Sequence, residues 1–183
     1  LLAAPLTVLL HRRAYAFGVA LAASWIAFAI AVLLWLRVAD SGTISYAIGN
    51  WPPPWGIEYR VDRLSAFVLV LVSGIAAVVL PSSRASIEAE VSPQQHYLFY
   101  TMFLLCLAGL LGIAITGDAF NVFVFLEVSS LSTYVLIALG RDRRALLASY
   151  QYLIMGTIGA TFFVIGVGLL YLMTGTLNIA DMG

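Results

Sequence analysis

The stretch NVFVFLEVSSLSTYVLIAL, residues 121–139, is apolar enough to cross a membrane, yet it carries Glu127 near its midpoint. A helix needs about 20 mostly apolar residues to span the hydrocarbon core of a bilayer. A charged side chain at the centre of that core costs about 2.5–3.5 kcal/mol on insertion scales. The stretch therefore predicts a membrane-spanning helix with a carboxylic acid that has a purpose other than solubility.

The composition of the whole chain indicates the same environment. Of its 183 residues, 62% are hydrophobic and 10% are charged, whereas a soluble domain carries about 25% charged residues. This excludes a soluble enzyme, and the formal net charge of +0 gives no reason to expect a nucleic-acid partner. The nine basic residues are all arginine, and the single cysteine, Cys106, lies in an apolar run where we expect it to pack as a small hydrophobe.

The length rule for membrane helices divides the chain into about six spans. They cover approximately residues 1–10, 14–36, 64–80, 97–115, 119–139 and 146–173, with the third ending at Pro81. The sequence thus predicts an all-α integral membrane fold, a multi-helix transmembrane bundle in a single domain over residues 1–183. The first span is short and the chain opens on Leu1 rather than Met, so we interpret it as a fragment of a longer membrane protein.

Arginine residues in the loops predict the orientation of the bundle. If alternate loops share a side, one side holds Arg12, Arg13, Arg84, Arg141, Arg143 and Arg144, and the other holds Arg37, Arg60 and Arg63. The richer side is expected to be cytoplasmic. The long loop on the poorer side, GNWPPPWGIEYRVD at residues 49–62, is proline-rich, and IEYRV within it alternates enough for a short strand. This loop is either an ordinary connection or an element that docks a partner.

The helical period places polar groups beside Glu127. On a 3.6-residue repeat it shares a face with Phe120, Phe123, Ser130 and Tyr134. Burial favours the neutral acid, and an arriving cation or water chain favours the carboxylate, which are the properties of a proton carrier. A structural alternative is a protonated acid that joins two helices, although such bonds contribute on average only about 0.6 kcal/mol. We favour the proton carrier, with Ser130 and Tyr134 in supporting positions.

Two further ionisable residues lie near the ends of predicted spans. Asp118, in the tight turn TGDAFN, is suited to cap the fifth span, with ion entry as the alternative. His96 opens the fourth span, where it is either an interfacial polar residue or a group that passes protons near neutral pH.

Three segments resemble one family of membrane proteins. They are TGDAFNVFVFLEVSSLSTYVLIAL at residues 116–139, YQYLIMGTIGATFFVIGVGLLYLMTGTLNIADM at residues 150–182, and GNWPPPWGIEYRVDRLSAF at residues 49–67. All three are similar to the D-type component of the Mrp-type multisubunit sodium/proton antiporters. That family is homologous to the antiporter-like proton-pumping subunits of respiratory complex I and of membrane-bound hydrogenases.

The resemblance implies a larger fold of about fourteen helices with two inverted five-helix repeats. It implies that Glu127 is the essential glutamate of the fifth span, paired with a lysine on the seventh span, beyond these residues. Haem and iron–sulfur clusters need ligand sets that this chain lacks, so we expect no cofactor and no metal. A proton-carrying pair also needs no redox chemistry in this subunit. The implied partners are other subunits of the complex, protons, Na⁺ and the lipid bilayer, in the cytoplasmic membrane of a bacterium.

Two other functions stay open beside the antiporter. One is a redox-linked proton pump, in which the chain would be a membrane subunit of an NADH:quinone oxidoreductase or of a membrane-bound hydrogenase. The other is a structural or assembly protein in which Glu127 only joins helices.

Overall fold

The structure is a computed structural model that describes residues 1–10, 13–51, 53 and 55–182. These residues form a bundle of helices with one small β-hairpin. The helices are α1 (Ala3–Leu10), α2 (Arg13–Ser41), α3 (Arg63–Ser82), α4 (Arg84–Glu90), α5 (His96–Ile115), α6 (Ala119–Ala138) and α7 (Arg143–Thr174). Within the described residues, five helices are long and apolar enough to cross a membrane, namely α2, α3, α5, α6 and α7. The predicted helical membrane bundle is therefore confirmed.

The end of the third span differs from its prediction. Helix α3 continues through Pro81 and ends at Ser82, because a proline in the last turn removes only one donor from a ladder that is about to stop. The Ser82 hydroxyl donates to the Val78 carbonyl at 3.1 Å, which satisfies an acceptor of that last turn. The short helix α4 follows directly, and it was not predicted because RASIEAE is too short and polar to read as a span.

The proline-rich loop contains the hairpin. Strand β2 (Glu58–Val61) confirms the strand predicted in IEYRV, and it pairs antiparallel with β1 (Ile44–Ala47), which was not predicted. Between the strands the chain turns through Gly49 and Asn50, both with positive φ, a conformation that glycine and asparagine tolerate best. Two of the three prolines of this loop, Pro52 and Pro54, lie outside the described residues.

Helix α5 lies at the centre of the bundle and packs against α1, α2, α3 and α6, while α7 packs against α6. The α5–α6 contact is close because α5 presents glycines to its neighbour. A Cβ on Gly109 would lie 2.7 Å from the backbone nitrogen of Ser129, and one on Gly112 would meet the ring of Phe125. Small residues at a helix interface let the two backbones approach in this way.

Loops that were predicted to share a side of the membrane meet in the structure. On the arginine-rich side, the backbone N–H of Arg141 donates to the carbonyl of Glu90 at 3.0 Å, which joins the end of α4 to the α6–α7 loop. At the opposite end, which we call the hairpin side, Gly117 N–H donates to the carbonyl of Glu58 at 2.8 Å. His11 and Arg12, which were assigned to the arginine-rich side, lie outside the described residues.

Candidate functional site

The site begins at the hairpin-side end of α6, where Asp118 caps the helix. Its Oδ1 accepts a hydrogen bond from the backbone N–H of Asn121 at 2.7 Å, and the Asn121 side-chain amide donates to the Thr116 hydroxyl at 2.9 Å. Asp118 is 9% exposed, so its carboxylate is shielded from solvent as well as hydrogen-bonded. The predicted capping role is confirmed, and the carboxylate satisfies one of the donors that the first turn would otherwise leave unpaired.

Glu127 lies near the middle of α6, on the face turned away from α5. The contacts with α5 come from Phe125 and Ser129, which approach its glycines, and from Thr133, whose hydroxyl lies 3.4 Å from Sγ of Cys106. Glu127 is two positions from both Phe125 and Ser129, which is about 160° around the helix. Its carboxyl group therefore belongs to the side of α6 that α5 does not cover.

An open apolar strip runs beside Glu127. The strip consists of Phe120, Val124, Leu131 and Val135, which are 47%, 40%, 51% and 39% exposed. Glu127 itself is half-buried. Within the described part of the chain, no hydrogen bond or ion pair reaches its carboxyl group. The acid thus lies at the edge of this helical bundle, and the strip on one side of it is exposed.

Tyr134 marks the other flank, where α7 covers α6. Its side chain is 6% exposed and packs edge-to-face on Tyr152, with ring centroids 5.3 Å apart. Its hydroxyl is directed at Gly156, where a Cβ would overlap it, and the Ser149 hydroxyl donates to its backbone carbonyl at 2.7 Å. The phenol is thereby fixed between the two helices, about two turns along α6 from Glu127 and on nearly the same face.

Ser130 occupies the turn between these two residues. It is half-buried, and its position is about 300° around the helix from Glu127, which places it on the side that faces α7. The structure therefore brings Glu127, Ser130 and Tyr134 to one side of α6, as the helical period predicted. One carboxylic acid with two hydroxyls on its own helix face can hold and release a proton.

The structure does not place His96 with this group. His96 is 1% exposed, its Nε2 lies 3.0 Å from the Val91 carbonyl, and its Nδ1 has no hydrogen-bond partner among the described residues. On α5 it lies about 140° from Gly109, which faces α6. It is the first residue of α5, on the arginine-rich side. The level of Glu127 is reached about 14 residues further along α5, which is roughly 20 Å away along the helix axis. His96 is thus part of the packing between α5 and the α4–α5 turn.

A polar cluster on the hairpin side went unnoticed in the sequence. Asn178, 5% exposed, donates through Nδ2 to Oε2 of Glu58 at 2.9 Å, across 120 positions of sequence. The signal that could have found it is the polar motif TGTLN directly after an apolar helix, but its partner lies too far away for any periodicity to indicate. Among the described residues, no group of three or more His, Cys, Asp or Glu side chains could hold a metal ion.

Part of the chain matches a known protein family. Residues 116–183, which include the cap, Glu127 and α7, match the family model described as NADH:quinone oxidoreductase/Mrp antiporter, transmembrane. The chain is 45% identical over 163 residues to the N-type component of the NADH-quinone oxidoreductase of Desulforudis audaxviator, covering 86% of this chain and 32% of the relative. It is 34% identical over 153 residues to the D-type component of the Na⁺/H⁺ antiporter of Alkalihalophilus pseudofirmus, covering 84% of this chain and 30% of the relative.

The fold gives the same result. The structure of the Mrp complex from a Dietzia species is similar with a TM-score of 0.88 and 30% sequence identity, over 98% of this chain and 33% of that one. The chain spans about a third of the length of the relatives that it matches. Over α6 and α7 the chain matches the NADH:quinone oxidoreductase/Mrp antiporter family of membrane proteins, and its fold is similar to that of the Mrp complex structure.

Proposed function

We propose that the chain is part of a membrane subunit of a multisubunit Na⁺/H⁺ antiporter and that Glu127 carries protons in it. One observation carries this proposal: a lone carboxylic acid lies near the middle of a membrane-crossing helix, beside two hydroxyls and an open strip. An ionisable residue at such a depth is costly and points to a function by default. The antiporter name of the Alkalihalophilus relative and the Mrp complex of the similar structure support the same activity.

The open flank of Glu127 supports a partner from another segment. Because α5 and α7 cover other parts of α6, a further helix can pack on the strip of Phe120, Val124, Leu131 and Val135. A cation on that helix would favour the carboxylate, and its departure would favour the neutral acid. The chain has no lysine, so the lysine that the resemblance implies would come from outside these residues.

The mechanism follows from this geometry. A carboxylic acid in hydrocarbon favours its neutral form, because a carboxylate there lacks hydration. An approaching cation stabilises the carboxylate, and the proton leaves along hydroxyls and water on the same face of α6. Removing the cation restores the neutral acid, which takes a proton from the other side. Each movement of the cation to Glu127 and away again is thus coupled to the transfer of one proton.

The test is Glu127→Gln in the full-length complex. Glutamine keeps the size and hydrogen-bonding capacity of the side chain but cannot release a proton. We expect Na⁺-dependent proton flux in vesicles to fall by about a hundredfold or more, in the range of a lost acid–base group, with the complex still assembled. Glu127→Asp, which keeps the acid on a shorter side chain, is the matched variant and should retain part of the flux. Full flux in Glu127→Gln would refute a proton-carrying role.

The same variant tests the structural alternative. If Glu127 only joined helices, Gln would replace it at little cost, and Glu127→Ala would reduce the yield of assembled complex. Within the described residues Glu127 makes no such bond to another helix, so this part of the chain gives the alternative no support.

A second candidate function is a redox-linked proton pump. It is favoured by the 45% identity with the NADH-quinone oxidoreductase component, which exceeds the identity with the antiporter component. Purification of the native complex separates the two. Co-purifying quinone reductase activity that drives proton flux would identify a pump, whereas Na⁺-driven proton flux in its absence would identify an antiporter.

The orientation is also a proposal. The multi-pass helical bundle fits the cytoplasmic membrane of a bacterium, since the organisms of the relatives are bacteria, and we place the arginine-rich side in the cytoplasm. In a Cys106→Ala background, Tyr46→Cys on the hairpin and Ala89→Cys on α4 provide exposed reporters. An impermeant thiol reagent should label Tyr46→Cys in intact cells and Ala89→Cys only in inside-out vesicles. The reverse pattern would overturn the orientation.

A further inference from the structure

Four extended segments on the hairpin side form one hydrogen-bonded layer. Strands β1 and β2 pair with each other, and Tyr59 of β2 pairs with Thr116 at the end of α5. Beyond that, Asp118 pairs with Asn178, and the Ile179 N–H donates to the Gly117 carbonyl at 2.9 Å. The turn that starts α6 is therefore bonded to the hairpin on one side and to the chain after α7 on the other.

The side chain of Glu58 ties this layer together. Its Oε2 accepts from the Asn178 amide and its Oε1 accepts from the Ser45 hydroxyl. The orientation of the Asn178 amide is fixed, because its Oδ1 accepts from the Ala180 N–H at 2.9 Å and leaves Nδ2 as the donor. One carboxylate thus joins β1, β2 and the chain after α7.

We propose that the Glu58–Asn178 contact is a positioning contact that sets the depth and rotation of α6, and through it the place of Glu127. The inference rests on the proposed function of Glu127. The first helical N–H of α6, on Ala119, donates to the Leu177 carbonyl at 2.9 Å, so the segment that bears Asn178 holds the helix start directly. Glu127 follows about eight residues later, about 12 Å along the helix. A helix is stiff over that length, so a displacement of its start moves the acid.

The contact does not serve only to end or start helices. Helix α6 is already capped by Asp118, and α7 ends on Gly175 in the left-handed conformation, with φ 72°. Both ends would therefore be satisfied without Glu58. The Glu58 carboxylate adds a bond between segments that follow different helices. A bond of this kind can fix the position of α6 relative to the other helices.

The charge of Glu58 makes the contact testable. Hydrogen bonds from Ser45 and Asn178, with a smaller contribution from Arg60, hold the pKa of Glu58 below its usual value against the opposing effect of burial. Other ionisable side chains on these segments and at the adjoining start of α3 are those of Tyr46, Tyr59, Asp62, Arg63, Asp118 and Asp181.

Asn178→Asp keeps the acceptor for Ala180 N–H but places a second carboxylate against Glu58. Two carboxylates at hydrogen-bond distance cannot both stay ionised without strain, so one of them takes up a proton as the pH falls. The contact then re-forms around a shared proton.

The experiment measures proton flux in vesicles that contain the full-length complex, with the pH varied on the hairpin side. We expect Asn178→Asp to lower the flux about tenfold near pH 8 and to recover much of it near pH 5. Glu58→Gln should cost about two- to threefold, because Gln accepts from Asn178 as a neutral group. The double variant Glu58→Gln/Asn178→Asp should recover to within about twofold of the wild type at both pH values, since Gln can donate to Asp. Tyr46→Phe, on the neighbouring strand, is the control and should keep the wild-type flux.

The outcomes separate the two proposals. Wild-type flux in Asn178→Asp, or a double variant no better than Asn178→Asp, would overturn the positioning contact. Flux retained by Glu127→Gln in the same vesicles would instead overturn the proton carrier. If Asn178→Asp does not assemble, Asn178→Ala removes the donor without adding charge. It should lower the flux about fivefold with no dependence on hairpin-side pH, and wild-type flux there would overturn the contact as well.

Discussion

Replacing Gly109 by alanine tests the contact that turns Glu127 away from α5. The added Cβ would lie 2.7 Å from the Ser129 nitrogen and 2.8 Å from the Phe125 carbonyl oxygen, both backbone atoms, whereas real Cβ atoms essentially never come closer than 3.0 Å. A flexible side chain could swing aside, but two backbone atoms of one helix cannot. The α5–α6 pair must therefore separate by a few tenths of an ångström. Overpacking of this kind costs about 1–3 kcal/mol.

Thermal stability of the purified complex, followed by the loss of its monodisperse peak in size-exclusion chromatography, measures this cost. We expect Gly109→Ala to lower the midpoint temperature. Gly18→Ala is the matched control, because no atom of the described residues lies within 4 Å of its added Cβ, and alanine favours a helix over glycine by about 1 kcal/mol. Gly18→Ala should therefore leave the midpoint unchanged or raise it. Equal stability in Gly109→Ala and the wild type would refute the close backbone contact.

Three further predictions concern stability. Gly156→Ala should destabilise the complex, because its methyl group would overlap the Tyr134 hydroxyl, and adding Tyr134→Phe should restore most of the loss; a double variant as unstable as Gly156→Ala would contradict this packing. Asp118→Ala should cost about 0.5–2 kcal/mol, as expected for a lost helix cap, and Asp118→Asn should cost less in the same thermal assay. Asp62 caps α3 by accepting from Ser65 N–H, and this bond holds its pKa below the ordinary value of 3.8. The stabilising contribution of the Asp62 carboxylate is therefore present above pH 3.8 and is lost as the pH falls through the lowered pKa. Asp62→Asn should flatten the decline in stability at acidic pH, and an unchanged decline would exclude this contribution.

The long helices could be predicted from the sequence because their signal is local. The length and apolarity of a run such as residues 121–139 are enough to predict a membrane span. The cap at Asp118 could be predicted because this residue lies just before that run. The helical period also identified Ser130 and Tyr134 as neighbours of Glu127. These features depend on residues that lie within two or three helical turns of each other.

Contacts between distant segments could not be predicted in this way. The period of α6 groups residues on a face but does not say which helix covers that face, so the open flank of Glu127 appears only in the structure. Strand β1 is four residues long, and its pairing with β2 depends on a turn whose residues also suit an irregular loop. The bond between Glu58 and Asn178 joins positions 120 residues apart, and no pattern in either segment specifies the other.

The hydrogen-bonded layer on the hairpin side has a consequence for how the chain is made. Its segments lie before α3, between α5 and α6, and after α7, so they are synthesised far apart in time. They can meet only if every intervening helix has crossed the bilayer in its correct direction, because a single inverted helix leaves one segment on the wrong side. Closure of the layer onto Gly117 therefore requires that membrane insertion has succeeded up to α7, and a chain that fails to close it leaves backbone N–H and C=O groups without these partners.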